Sequence, residues 1–180
     1  MFVPVILLDL NIRGVSLISA QGVAILMLYF AYGSNLSTKY VRQYTPSAVY
    51  VRRALLPNFH IEFRRYSDNL KGGISTIIEA PGEIVHGVIY EVDPKEIAAL
   101  DILEKVPLGV YKREGFKVLG EDGNWYTADL YRVVKPEGPY TPAKKYVSWM
   151  VEGMKEHGID ASYAKRFVDL YSKLPESSEK

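Results

Sequence analysis

The chain has 180 residues, a length typical of one compact domain. Its 22 Lys plus Arg residues are nearly balanced by 21 Asp plus Glu residues, which disfavours a broad basic surface for nucleic acid. Cysteine is absent, which excludes disulfides, thiolate metal sites and a cysteine nucleophile, and favours a cytoplasmic location.

An apolar segment precedes the first recognisable motif. The stretch from Gly14 to Thr38 contains no charged side chain and is long enough to be compared with a membrane span. Polar residues dilute it, and no positively charged segment precedes it as in a signal peptide. We therefore expect no membrane partner, and we expect Met27 to be the native start. The predicted organisation is an extension at 1–26, a domain at 27–174 and a polar tail at 175–180.

The loop Tyr32–Leu36, with the sequence YGSNL, follows the first predicted strand. A glycine in this loop allows a positive φ or a close approach of a ligand to the backbone. Successive amide N–H groups, aided by the side chains of Ser34 and Asn35, can then bind a carboxylate. The alternative is that Ser34 or Asn35 only caps a following helix over Ser37–Tyr44.

Several segments rich in β-branched and aromatic residues are separated by Gly, Pro, Asn or Asp, a pattern typical of strands and turns. The last two segments are joined by a predicted hairpin turn at Glu121–Asn124. The predicted strands are Leu28–Ala31, Ala48–Leu55, Phe59–Arg65, Ile74–Ile78, Ile84–Val92, Val110–Leu119 and Trp125–Val134.

Three helix starts follow from local signals. Asp93 is placed to cap a helix whose first residue is Pro94, with Glu96 at the capping-box position. Thr141-Pro142 and Asp160 are predicted to open two amphipathic helices near the end of the chain. We predict an α+β fold: a small mixed β-barrel or strongly curved sheet of about seven strands, with a central helix and two C-terminal helices.

Glu104 is a candidate acid because it lies four residues after Leu100, on the apolar face of the central helix. Burial raises the pKa of a carboxyl group, which allows a Glu to accept and return a proton near neutral pH. The alternatives are solvent exposure at a frayed helix end, an ion pair with Lys105 or Lys112, or Asp101 as the acid instead.

The segment Leu28–Leu36, LYFAYGSNL, resembles the hallmark of γ-glutamylcyclotransferases, and the resemblance extends over residues 27–170. Members of the family commonly have Gly after their catalytic Glu, whereas Lys105 and Pro107 occupy this loop here, which puts its shape in question. The other similar segments are Gly72–Ile77, Gly82-Glu83, Gly87–Tyr90, Leu100-Asp101 followed by Glu104, and Tyr140–Tyr163.

The resemblance implies an enzyme that converts a γ-glutamyl amide to 5-oxoproline and releases an amino acid or amine. Glu104 is then the general acid and base, in place of the less favoured Asp101. The substrate's own amine attacks its γ-carbonyl, so we expect no metal and no cofactor. The implied substrate-binding residues are Tyr32, Gly33, Ser34, Asn35, Leu36, Tyr111 and Tyr131.

Two other functions are compatible with these residues. A non-catalytic barrel would use Tyr32–Leu36 to bind a small carboxylate or a protein partner. A nucleic-acid module is disfavoured by the near-zero net charge. No phosphate loop, dinucleotide fingerprint or metalloprotease helix motif is present. We expect a small-molecule γ-glutamyl substrate and a monomer or homodimer; the residues do not specify the leaving group.

Overall fold

The computed structural model describes residues 15–16 and 26–175. Its strands form one sheet in the order β1-β2-β4-β3-β5-β6, and a further parallel pairing of β2 with β6 closes five of them into a barrel. This confirms the predicted α+β barrel. The strands are β1 (Val15–Ser16), β2 (Leu26–Ala31), β3 (Val49–Ser67), β4 (Gly72–Val92), β5 (Tyr111–Gly120) and β6 (Trp125–Val133).

Within the part of the chain that the structure describes, four α-helices accompany the barrel, including the predicted central helix and the two predicted C-terminal helices. Two short 3-10 helices, Ser34–Leu36 and Val106–Leu108, lie in the loops that follow β2 and the central helix. The α-helices are α1 (Thr38–Val41), α2 (Pro94–Leu103), α3 (Lys144–Glu156) and α4 (Ala161–Lys173).

The barrel has five strands rather than about seven, because two pairs of predicted strands are continuous. Pro57, Asn58 and Gly82 were expected to end strands, but they form an irregularity inside the long antiparallel pair β3–β4. Asn58 and Gly82 have φ values of 66° and 88°, and the Gly82 N–H donates to Asn58 Oδ1 at 3.1 Å. Such residues mark a bulge as readily as a turn, which is the physical reason for the wrong strand count.

The second half of β2 is buried on both faces, because successive side chains of a strand point to opposite sides of the sheet. Phe30 belongs to an apolar cluster to which all five barrel strands contribute, whereas its neighbour Tyr29 belongs to a second cluster. The second cluster lies between the barrel and the helices and includes Ile97 and Leu100 of α2. These contacts fix α2 against the barrel and so position the residue that follows it.

The predicted helix caps are confirmed at two of three positions. Asp93 Oδ1 accepts from the Lys95 N–H at 2.7 Å, and Asp160 Oδ1 accepts from the Tyr163 N–H at 2.9 Å. The capping box at Glu96 is wrong, because its carboxylate accepts hydrogen bonds from the backbone and hydroxyl of Ser47 instead.

The third predicted helix start, at Thr141-Pro142, is two residues early. The Thr141 carbonyl accepts from the Gly73 N–H at 2.7 Å, and the Ala143 N–H donates to the Gly73 carbonyl at 3.0 Å. This pairing with the start of β4 keeps the backbone extended, so α3 begins at Lys144.

Most of the predicted extension and the tail after residue 175 lie outside the described residues. Within the extension, Val15–Ser16 pairs antiparallel with β2, with Val15 opposite Met27. The predicted boundaries at 26, 27 and 174 therefore stay predictions. Among the residues described, no helix combines the length and the apolar character that crossing a membrane requires.

Candidate active site

A cleft of about 370 Å³ lies where the loop after β2 meets α1, the end of α2 and the start of α3. Its wall is rich in aromatic rings and hydroxyl groups, and Glu104 is the only charged side chain among the described residues that line it. The lining residues are Tyr32, Gly33, Ser34, Tyr40, Gln43, Tyr44, Ser67, Asn69, Leu70, Ile74, Ser75, Leu103, Glu104, Tyr111, Tyr131, Tyr146 and Trp149.

Glu104 is the C-cap residue of α2, and its N–H donates to the Leu100 carbonyl at 2.9 Å. Its side chain is partly buried and makes no ion pair with another described residue. Lys112, one predicted alternative partner, binds Glu114 at 2.8 Å instead. Burial raises the pKa of Glu104 to about 7, and the positive charge of Arg65 opposes this shift only in part.

Lys105 adopts a left-handed backbone conformation, with φ 54° and ψ 37°. Its carbonyl accepts from the N–H groups of Leu108 and Val110, at 3.1 Å and 3.2 Å. Glycine adopts this conformation without steric cost, whereas for any other residue the conformation is destabilised by about 1–2 kcal/mol. The backbone at Lys105 therefore has a conformation that a glycine at this position would also adopt.

Asp101, the alternative acid, is engaged in an ion-pair network outside the cleft lining. Arg113 binds its carboxylate through two nitrogens, at 2.8 Å and 3.2 Å, and also pairs with Asp129. The Tyr131 hydroxyl donates to the same carboxylate at 2.7 Å. Asp101 thus connects α2 to β5 and β6, and the proton-exchange role is better suited to Glu104.

The capping alternative for the loop is wrong, because Ser37 caps α1. Its hydroxyl accepts from the Tyr40 N–H at 3.3 Å. Asn35 is buried, and its side-chain amide donates to the Tyr29 hydroxyl at 2.6 Å. Ser34 lies beside the cleft and caps no helix through its side chain.

Gly33 is required by close packing rather than by a positive φ, since its φ is −105°. A Cβ atom at this position would lie 2.5 Å from the Tyr146 hydroxyl and 2.8 Å from Ser75 Oγ. Those two hydroxyls are 2.8 Å apart. Within the described part of the chain, the N–H groups of residues 33–35 donate to no backbone carbonyl. The Ser34 N–H hydrogen-bonds the Tyr146 hydroxyl, so this part of the loop and the two hydroxyls form one polar group of atoms beside the cleft.

The far side of the loop is packed against α3 and β4. A Cβ atom at Gly153 would lie 2.2 Å from the carbonyl carbon of Leu36 and 2.4 Å from the Ser37 nitrogen. The Leu36 carbonyl accepts from the Tyr90 hydroxyl at 3.1 Å, and Tyr90 in turn contacts His157 Nε2 at 3.0 Å. These contacts fix the loop from behind.

The structure brings most of the predicted site residues together. Tyr32, Gly33, Ser34, Tyr111 and Tyr131 line the cleft with Glu104, although the Tyr131 hydroxyl is bound to Asp101. The roles of these residues stay predictions. The residues that the structure does not place on the cleft wall are Asn35 and Leu36.

Eleven of the 17 lining residues were not identified as site residues from the sequence, among them Tyr40, Ser75, Tyr146 and Trp149. Ser75 lies within Gly72–Ile77, a segment that resembles the family, so this resemblance could have indicated that Ser75 belongs to the site. Tyr146 and Trp149 lie within Tyr140–Tyr163, another segment of the resemblance, but their helical spacing alone does not distinguish a cleft wall from an ordinary core face.

Comparisons with known proteins agree with this geometry. Residues 84–167 match the model of the AIG2-like family. A γ-glutamylcyclotransferase from Bos taurus is 34% identical over 147 residues, which cover 79% of this chain and 78% of the relative. A γ-glutamylcyclotransferase from Mus musculus is 35% identical over 143 residues, 77% of this chain and 76% of the relative.

A solved structure described as a gamma-glutamyl cyclotransferase superposes with a TM-score of 0.79 at 29% sequence identity, over 86% of this chain and 92% of that chain. A human crystal structure of a protein described as uncharacterized superposes with a TM-score of 0.77 at 30% identity, over 86% and 91% of the two chains. These likenesses extend over most of the described residues. The chain therefore belongs to the γ-glutamylcyclotransferase family.

Proposed function

We propose that this enzyme cyclises a γ-glutamyl amide to 5-oxoproline and releases an amino acid or amine, with Glu104 as the proton carrier. The observation that supports this most strongly is the Glu104 carboxyl, which pairs with no other described residue and whose pKa of about 7 suits transfer in both directions. Gly33 and Ser34 line the same cleft, so one bound glutamyl unit has an acid and an anion-binding loop within one site.

The loop binds the glutamyl α-carboxylate in this proposal. Its N–H groups, which donate to no backbone carbonyl among the described residues, and the Ser34 hydroxyl supply hydrogen bonds in this proposal, as amide clusters do at other anion sites. The hydroxyls of Ser75 and Tyr146 lie against Gly33 and are candidates to donate to the γ-carbonyl oxygen. A preorganised donor at a developing oxyanion contributes roughly 3 kcal/mol in comparable acyl transfers.

Glu104 moves two protons in turn. Its carboxylate first accepts a proton from the substrate α-ammonium group, and the free amine attacks the γ-carbonyl carbon to form a tetrahedral intermediate. The protonated carboxyl donates to the departing nitrogen, and the regenerated carboxylate accepts the second proton from the attacking nitrogen as the amide C–N bond breaks. This second proton leaves with the released amine, which departs as its ammonium form. The new bond closes the five-membered ring of 5-oxoproline, so no protein nucleophile takes part.

The proposed chemistry also indicates what the enzyme needs besides its substrate. Proton transfer and positioning are sufficient, so the proposed reaction uses neither a metal nor a cofactor. The lack of cysteine supports a cytoplasmic location, and we propose a monomer or a homodimer.

The direct test is 5-oxoproline formation from γ-glutamylalanine, measured by mass spectrometry against an enzyme-free control. We expect kcat/KM to fall about tenfold per pH unit below pH 7, because the protonated Glu104 of the free enzyme does not accept a proton. Release of glutamate without 5-oxoproline, or no product above the enzyme-free rate, would overturn the proposal.

A further inference from the structure

Part of the cleft wall is not used by the proposed proton transfer or by glutamyl binding. We propose that this wall is a subsite for the leaving group, and that the enzyme prefers γ-glutamyl amides whose leaving amino acid has an aromatic or large aliphatic side chain. The inference rests on the proposed function and specifies its substrate class. The wall, here called the apolar wall, consists of Tyr40, Tyr44, Leu70, Ile74, Leu103 and Trp149.

Three aromatic rings form one side of the apolar wall. Tyr40 of α1 stacks on Trp149 of α3, with ring centroids 4.1 Å apart and planes inclined by 27°. Tyr44 meets Tyr40 edge to face at 5.5 Å. All three side chains are only partly buried. They therefore offer uncovered aromatic surface to a ligand, and covering such surface favours apolar groups.

The apolar wall adjoins the group that acts on the leaving nitrogen. Leu103 is 44% exposed and immediately precedes Glu104 in the chain, and both line the cleft. The charge of Glu104 also contributes to the raised pKa of the Tyr40 hydroxyl, which burial raises most. Because Glu104 protonates the departing nitrogen in the proposed reaction, the subsite places the side chain attached to that nitrogen beside these residues.

Charge in the cleft argues against an acidic or basic leaving group. Glu104 is the only charged side chain among the described lining residues, and its proton is needed for the reaction. Lys145 lies over the Trp149 ring, with its Nζ 5.7 Å from the ring centroid, but does not line the cleft. A charged side chain would thus lose its hydration on this wall without gaining an ion pair.

The test compares kcat/KM for γ-glutamylphenylalanine and γ-glutamylalanine, with γ-glutamylglutamate and γ-glutamyllysine as charged substrates. We expect the phenylalanine substrate to exceed the alanine substrate by roughly tenfold, which corresponds to about 1.4 kcal/mol. Both charged substrates are expected to fall below γ-glutamylalanine. Equal values for phenylalanine and alanine, or a preference for a charged leaving group, would overturn the inference.

Variants locate the preference on the apolar wall. Trp149→Ala and Tyr40→Ala are each expected to reduce the phenylalanine-to-alanine ratio by about threefold, from roughly tenfold toward one. The matched control is Trp125→Ala, because Trp125 is 56% exposed at the start of β6 and does not line the cleft, and its ratio should stay within about twofold. Both substrates are measured on one preparation, so a partly unfolded variant changes both rates but not their ratio.

The outcomes separate the two proposals. A wild-type ratio retained in both wall variants would overturn the subsite while leaving cyclisation intact. If none of the four substrates yields 5-oxoproline, the proposed function fails and the subsite fails with it.

Discussion

Replacing Glu104 with Gln is expected to lower kcat/KM for 5-oxoproline formation by roughly a thousandfold, the size of effect typical of a general acid and base. Gln has nearly the same shape but neither accepts nor returns a proton. The fold should persist, because the carboxyl makes no ion pair with another described residue. Burial destabilises the ionised form of Glu104, so a neutral amide at this position removes no stabilising charge. Steady-state kinetics and circular dichroism on one preparation measure both effects.

The matched control is Asp101→Asn, which makes the same chemical change three residues earlier on the same helix. Asp101 is bound to Arg113 and Tyr131, so we expect a melting temperature lowered by a few degrees and most of the turnover retained. Full activity in the Glu104 variant, or equal losses in both variants, would contradict the assignment of the proton carrier to Glu104.

Gly153→Ala is expected to lower the melting temperature by about 5 °C and kcat/KM by about tenfold. Helix propensity alone would favour the alanine by about 1 kcal/mol. The added methyl group, however, overlaps the backbone between Leu36 and Ser37, which has no flexible side chain to move aside. Moving this backbone displaces Gly33 and Ser34 from the cleft, and small displacements of positioning groups are costly.

Gly115→Ala is the control for this substitution. Its added methyl group would meet nothing closer than 3.5 Å, at Asp129 and Thr127, so we expect the melting temperature to change by less than about 2 °C. An unchanged melting temperature and unchanged kinetics for the Gly153 variant would show that the α3 contact does not fix the loop.

The fold was largely predictable because local signals agreed with the tertiary structure. The turn at Glu121–Asn124, the cap at Asp93 and the strand segments all correspond to observed features. The predicted number of strands was too high because Asn58 and Gly82 lie at a bulge inside continuous strands, and a bulge and a turn favour the same residue types. The predicted start of α3 was two residues early because the backbone of Thr141 pairs with Gly73, and this pairing between distant parts of the chain leaves no local signal.

The position of Glu104 was predictable from its register on the apolar face of α2, and the family resemblance favoured it over Asp101 and over an exposed helix end. The loop at Gly33 was predictable because a glycine follows a strand end in a segment that resembles the family's hallmark. The wall contributed by Tyr40, Tyr146 and Trp149 was not predicted, because aromatic residues on helices usually indicate core packing. The hydrogen bond from the Tyr131 hydroxyl to Asp101 could not be predicted either, because it depends on the approach of two elements that are distant in sequence.

The most direct measurement is a carbon-13 NMR titration of the glutamate side-chain carboxyls in the wild-type protein and in Glu104→Gln. We predict one resonance with a midpoint near pH 7 in the wild type that is missing from the variant. The contradictory result is a wild-type spectrum in which every glutamate carboxyl titrates near the ordinary value of about 4.3.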